Sequence, residues 1–252
     1  MSDALNTKFA EWICDNTKDC RVADVLVGLA YTKVVLADQR SGIAYSFAHE
    51  CSRGCCPLGS NEPLAGRRAL ELVGGLSSKR QLERSIALAT INALRNDHYK
   101  EKHAADVLST DLIRGSDNVA MVGYFGPLVE PLKKRCNRLY VFDKDLSKAK
   151  ELTPIVDMPE FLQRCDVALV TSTSIANGSA EEILASANNC REIVLLGAST
   201  PLVPDFFRQY KVTMLAGIVV TDKDALDLAI KEGRGMRHFK KSIKKINVLV
   251  EP

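Results

Sequence analysis

The sequence has 252 residues, 46% of them hydrophobic, with 34 lysines and arginines against 31 aspartates and glutamates for a formal charge of +3. That is enough chain for two ordinary domains with buried cores; the charges are spread too evenly for a nucleic-acid-binding field, and no apolar run reaches the roughly 20 residues that cross a bilayer. The opening MSDALNTKFAEW has no basic stretch leading into an apolar one, so a cytoplasmic protein is expected, with its eight cysteines mostly reduced and open to metal or redox roles.

In chain order, Leu5, Phe9, Trp12 and Ile13 recur at helical spacing and predict an amphipathic first helix over 3–15. From Arg21, the runs VADVLVGLAYTKVVLA and GIAYSFAH are β-rich and broken by Gly28, by Asp38-Gln39-Arg40 and by Gly42, which predicts a small antiparallel meander. After a loop rich in Cys, Gly and Pro, residues 64–73 predict a helix that Gly74 and Gly75 stop. Ser78 and Gln81 have the spacing of a capping box for a long helix that carries Leu82, Ile86, Ala89 and Ala93 on one face and ends near Asn96. The polar DHYKEKHAAD that follows is the expected linker. Beyond Asp117 short apolar strands alternate with helices: NVAMVG, LYVFD, DVALVTS, EIVLLG and VTMLAG, with helices over 128–135, 159–164, 180–187 and 204–210. Such near-continuous apolar strands are buried on both faces, so the expectation is a parallel sheet with right-handed crossovers.

The loop Gly123-Tyr124-Phe125-Gly126-Pro127 follows the first of these strands and opens a helix, which aims backbone N–H groups and a positive dipole end at an anion. Asp143 lies about 20 residues beyond Gly123, the spacing of a ribose-binding acid in dinucleotide folds. Only two of the three fingerprint glycines are present, however, and Tyr124 and Phe125 are bulky where a pyrophosphate needs close approach. A tight turn with Pro127 at the helix start explains the same residues without a ligand. Thr171-Ser172-Thr173-Ser174-Ile175-Ala176-Asn177 and Gly197-Ala198-Ser199-Thr200 leave the carboxyl ends of predicted parallel strands, where open α/β sheets bind ligands. Their hydroxyls and amides suit an oxygen-rich ligand, or else cap the helices that follow. His49, Cys51, Cys55 and Cys56 gather soft donors for a transition metal on one loop, although adjacent cysteines fit a tetrahedral site poorly. The remaining cysteines, Cys14, Cys20, Cys136, Cys165 and Cys190, read as small core hydrophobes. The basic run 234–245 reads as a solvated helix face. No HExxH, P-loop or GxSxG motif is present.

The stretches VGLAYTKVVL, SIALATINAL, VAMVGYFGPLV, DVALVTSTSIANGS and LLGASTPLVPDFF, the last followed by VTMLAGIVV, resemble an uncharacterised prokaryotic family described as "putative heavy-metal chelation" proteins. The resemblance covers nearly the whole chain. It implies an enolase N-terminal-like α+β domain over 1–105 and a Rossmann-like parallel-sheet domain over 106–252. It also implies a ligand site between the two domains that brings Tyr31, Thr32 and Asn92 towards Gly123, Asn177, Ser199 and Thr200. The chain has Ala198 where the family usually has Pro, and Ser172 where it usually has Gly. The expected function is handling of a metal or a metal chelate by a small-molecule-binding protein that needs neither nucleic acid nor membrane and leaves room for a homodimer. The alternatives are an enzyme with a nucleotide-like cofactor, NAD(P) or S-adenosylmethionine, held through Asp143, and a scaffold that uses the basic tail. Whether any reaction is catalysed stays open at this point.

Overall fold

The computed structural model describes residues 4–48, 58–59, 62–99, 107, 111–147 and 152–251. The first helix, α1 (Ala4–Asn16), buries Leu5, Phe9 and Ile13 and leaves its polar side to solvent, as the helical spacing requires. Three strands, β1 (Val22–Val27), β2 (Tyr31–Leu36) and β3 (Ser41–Tyr45), form an antiparallel meander in the order β1-β2-β3. Over it lies α3 (Gln81–Arg95), whose buried side carries Leu82, Ile86, Ala89 and Ala93.

Two local expectations fail here. The helix predicted over 64–73 is shortened to α2 (Ala69–Val73), because the backbone before it extends the sheet edge: Val22 N–H donates to Arg67 O at 2.9 Å and Gly66 N–H to Val22 O at 2.8 Å. The α-helix does stop at the glycines, with Gly74 as its C-cap, and the chain then tightens into a 3-10 turn over Gly74–Ser77. The capping box is also absent. Arg80 is the N-cap of α3 with no side-chain cap, while the Ser78 hydroxyl donates to the Glu83 carboxylate and accepts the Arg80 N–H.

The second half builds a six-stranded sheet in the order β5-β4-β6-β7-β8-β9, from β4 (Asn118–Val122), β5 (Arg138–Phe142), β6 (Val167–Thr171), β7 (Glu192–Leu196), β8 (Met214–Val220) and β9 (Ile243–Leu249). The first five are parallel, and β9 runs antiparallel to β8. Between them run α4 (Gly126–Lys133), α5 (Met158–Arg164), α6 (Thr173–Asn177), α7 (Ala180–Ser186), α8 (Pro204–Phe207), α9 (Lys223–Lys231) and α10 (Met236–Phe239). The basic run 234–245 is helical as expected over α10 and a following 3-10 turn at Lys240–Ser242, but its last three residues enter β9, where buried Ile243 and, just beyond the run, Ile246 recruit the segment to the sheet edge.

Alternation along the strands sorts two layers. Val119, Met121, Val167, Leu169, Val194 and Leu196 face one side with Leu132 of α4, while Ala120, Val122, Ala168, Val170, Ile193 and Leu195 face the other with Leu162, Ile183 and Phe206. That second layer also takes Leu5, Phe9 and Ile13 of α1 and the apolar side of α3, and Phe9 stacks on Phe206 with ring centroids 4.4 Å apart. A third cluster packs Ile43 of β3 against Ile218, Leu226, Ile230 and Phe239. The expected α/β arrangement, a small α+β unit ahead of a parallel-sheet unit, is what the chain forms. The boundary read at 105/106 lies outside the described residues; on either side of it the two units share a core. Among the described residues no helix is long and apolar enough to cross a membrane.

Candidate functional site

The strand order reverses once. From β4 the chain moves outward to β5, then returns to place β6 on the other side of β4. Open α/β sheets bind ligands outside the carboxyl ends of their strands at such a reversal, which in this chain is where the loops after Val122 and Thr171 leave β4 and β6. Gly123 opens the first loop with φ +92°, and a Cβ there would lie 2.7 Å from Thr171 Cγ2. Both the backbone angle and the space therefore exclude a side chain. Thr171 and Thr173 are half-buried, and their hydroxyls lie 2.9 Å apart. Two hydroxyls that share one bond keep a donor proton and several lone pairs for a third group.

Two aromatic rings of the first loop pack on glycines. The Tyr124 ring lies against Gly126, and a Cβ on Gly197, whose φ is +118°, would stand 3.8 Å from the Phe125 ring. Asp143 closes the loop from the side of β5: Oδ2 accepts Tyr124 N–H at 2.8 Å and Oδ1 accepts Asp145 N–H at 2.9 Å. The acid expected to hold a ribose thus spends both oxygens on backbone donors. Asn177 acts locally too, since its Oδ1 accepts from Ser179 N–H at 3.0 Å and from Ser179 Oγ at 2.7 Å ahead of α7.

The other predicted residues form a buried seam between the two units. Asn92 Nδ2 donates to Ile43 O at 2.8 Å and to Ser199 O at 3.2 Å, and Ser199 Oγ accepts Tyr45 N–H at 2.9 Å. Thr200 Oγ1 lies 2.8 Å from Ser172 Oγ, and Thr32 Oγ1 lies 2.9 Å from Ser46 Oγ. Thr32, Asn92, Ser199 and Thr200 are at most 2% exposed, which leaves no open path to them. Tyr31 packs edge-on against Phe239 and Tyr45, and burial, helped by Tyr45, pushes its phenol up to about 12. Two seam atoms keep unused bonding capacity: Asn92 Oδ1 and Ser174 Oγ are buried without a hydrogen-bond partner. The predicted set therefore divides into an accessible group, Gly123, Gly126, Asp143, Thr171, Asn177 and Gly197, and a sealed group behind it.

Sequence reasoning missed Asn96, which ties the seam most strongly. Its amide donates to Thr200 O at 3.0 Å and Ile218 O at 3.1 Å, and its Oδ1 accepts Leu202 N–H at 2.8 Å. Its place at a helix end concealed it. Lys33, inside the apolar run YTKVVL, was the legible clue to a second tie: it is fully buried and paired with Asp227 of α9. His49, Cys51, Cys55 and Cys56 lie outside the described residues. Among the described residues no group of three or more His, Cys, Asp or Glu side chains could hold a metal ion. Two surface depressions, of about 180 Å³ beside Leu72 and Ile86 and about 450 Å³ beside Thr7 and Gly74, are lined by none of the predicted residues.

Two family models that share the description "Putative heavy-metal chelation" match the chain, one over residues 106–249 and one over residues 10–95. An uncharacterized protein of Methanocaldococcus jannaschii is 24% identical over 249 residues, which cover 95% of this chain and 94% of that protein. Two crystal structures, both of proteins of unknown function from the family of the first model, share the fold. The one from Pyrococcus horikoshii superposes with a TM-score of 0.83 at 24% identity, covering 99% of this chain and 100% of that one. The one from Desulfitobacterium hafniense DCB-2 gives 0.78 at 20% identity, covering 97% and 98%. At these identities the likeness speaks for the fold alone.

Proposed function

The chain belongs to the family described as "Putative heavy-metal chelation", and from that premise we propose that it binds a metal chelate, a transition metal already held by a small oxygen-rich organic molecule, at the loops after β4 and β6. The observation that carries this reading is the approach of Gly123 to Thr171 at the strand-order reversal, which brings the bonded Thr171 and Thr173 hydroxyls to the first loop. Two hydroxyls and backbone N–H groups suit ligand oxygens better than a bare transition-metal ion, which prefers imidazole, thiolate or carboxylate donors; a transition metal bound here would bring its own ligands.

In the family-based form of the reading the ligand also reaches Tyr31, Thr32 and Asn92. The burial of Thr32 and Asn92 makes that step depend on the seam opening, whereas half-buried Tyr31 and the loop residues are accessible as they stand. The nucleotide-cofactor alternative has less support, because Asp143 is engaged by two backbone donors and Tyr124 and Phe125 crowd the turn. A metal held directly by His49, Cys51, Cys55 and Cys56 is the competing form.

Equilibrium dialysis separates these readings, with nickel(II) offered as the free ion and as its citrate complex and metal counted by elemental analysis. Retention with citrate, weakened about five- to tenfold in Thr171→Val or Thr173→Val by the loss of one hydrogen bond, is the expected result. Retention of the free ion that is lost in Cys55→Ser or Cys56→Ser would move the metal to the thiolates. No retention in either form would overturn the proposal for this class of chelate.

A further inference from the structure

At the amino ends of β6 and β7, the edge of the sheet opposite these loops, two cysteines stand side by side. Val167 pairs with Glu192 in the parallel ladder, and the Asp166 carbonyl accepts Arg191 N–H at 2.8 Å and Glu192 N–H at 3.2 Å. Two steps back along both chains in this register come Cys165 and Cys190. A second route leads to the same juxtaposition: Cys190 Sγ donates to Leu162 O at 3.4 Å, and Leu162 lies in the last turn of α5, the helix whose C-cap is Cys165. The two side chains are 4% and 8% exposed and join one apolar cluster with Leu162, Ala187 and Ile193.

Neighbouring strands run about 4.8 Å apart, close to twice a metal–thiolate bond of about 2.3 Å. Backbones so spaced let the two sulfurs turn towards one another and reach a single ion. Among the described residues no third His, Cys, Asp or Glu side chain joins them in a metal-holding group. Two sulfurs in apolar surroundings favour thiophilic ions content with two ligands, cuprous or mercuric, over zinc, which takes four. We infer that Cys165 and Cys190 form a buried two-coordinate site for a soft, thiophilic cation. With a mercuric ion the balance is simple: the divalent ion displaces both thiol protons to solvent and forms two metal–sulfur bonds. The product is neutral, so no uncompensated charge enters the core. The S–H bond to Leu162 O is given up. A disulfide would also fit this span, but forming it needs a two-electron oxidant, whereas the mercuric ion needs only the two thiols. The site is independent of the chelate site, so either can fail without the other.

The test titrates mercuric chloride into a chain in which Cys14, Cys20, Cys51, Cys55, Cys56 and Cys136 are changed to serine. One ion per chain, release of two protons and a raised Tm are expected, and affinity should fall on the order of 10²–10⁴-fold in Cys165→Ala or Cys190→Ala through loss of the second tethered ligand. Two ions per chain, unchanged affinity in either single variant, or a chain lighter by two hydrogens with no free thiol would overturn the inference. Should the serine background not fold, tandem mass spectrometry of the digested, mercury-treated wild-type chain replaces it: a mercury-bridged pair of peptides containing Cys165 and Cys190 is expected, and its absence counts against the site.

Discussion

Removing Asp227 should destabilise the protein far more than removing its partner Lys33. In β2, Lys33 is opposite Leu26 on one side and Ile43 on the other, and its side chain, 2% exposed, reaches α9 to pair with Asp227 and donate to Lys223 O at 3.4 Å. The Asp227 side chain is 24% exposed. Asp227→Ala strands an ammonium in an apolar layer with one carbonyl for company, a change that costs about 3–5 kcal/mol. Against a typical total stability of about 5–15 kcal/mol, that is a large fraction. Lys33→Met keeps an unbranched apolar stem where Lys33 stood and leaves a carboxylate whose Oδ1 is buried but whose side chain is still 24% exposed, so its cost should be smaller, about 1 kcal/mol. The double variant should return close to Lys33→Met alone. Urea unfolding followed by circular dichroism reads these differences as shifts in midpoint at constant m. Equal costs for the two single variants, or additive costs in the double, would refute the claim that asymmetric burial governs this pair.

Other outcomes follow from the seam, the sheet edge and the thiols. Asn96→Leu should cost about 3 kcal/mol or more in the same assay, because it leaves Thr200 O, Ile218 O and Leu202 N–H buried without their partner; a cost under about 1 kcal/mol would mean water enters the seam. Burial alone would raise the Asp117 carboxyl, but the paired donors of Arg191 and the Arg114 amide outweigh it and hold the group below the usual carboxylate range. Its folded pKa lies below its unfolded one, so its contribution is complete above about pH 4 and is lost as pH falls through the lower folded value. Asp117→Asn should accordingly flatten the acid limb of a stability–pH curve. Alkylation with iodoacetamide should modify exposed Cys14 before Cys165 or Cys190, because burial first, then Cys190 and Asp166 for Cys165 and Asp166 for Cys190, push those two thiols up to about 12 and about 11. Peptide mapping at partial modification shows the order.

The parts of the fold set by periodicity were legible. The strands from Asn118 to Val220 and the long helix after Arg80 announce themselves because alternation and helical spacing act locally. What was not legible depends on tertiary partners. Residues 64–68 look helical in isolation, but Val22 claims their backbone for the sheet edge. The strand at 243–249 hides among lysines, since only its buried isoleucines and the free edge of β8 recruit it. Cys14, expected in the core, is exposed on α1, because a single cysteine carries no periodic signal. At the candidate site, the glycine and threonine loops could be read from their positions after apolar strands. The division between accessible loops and a sealed seam could not, because it depends on Asn92 and Asn96 reaching across to the loop at 199–202.

The central claim, a small oxygen-rich chelate held at the loops that Gly123 and Thr171 begin, is tested most directly by native mass spectrometry of the untagged chain purified without oxygen. A mass excess equal to an organic molecule plus a metal, reduced in Thr171→Val and lost in Gly123→Ala, is the result expected. An adduct the size of an adenine nucleotide, or a metal-only adduct that survives both substitutions and disappears in Cys55→Ser, would contradict it.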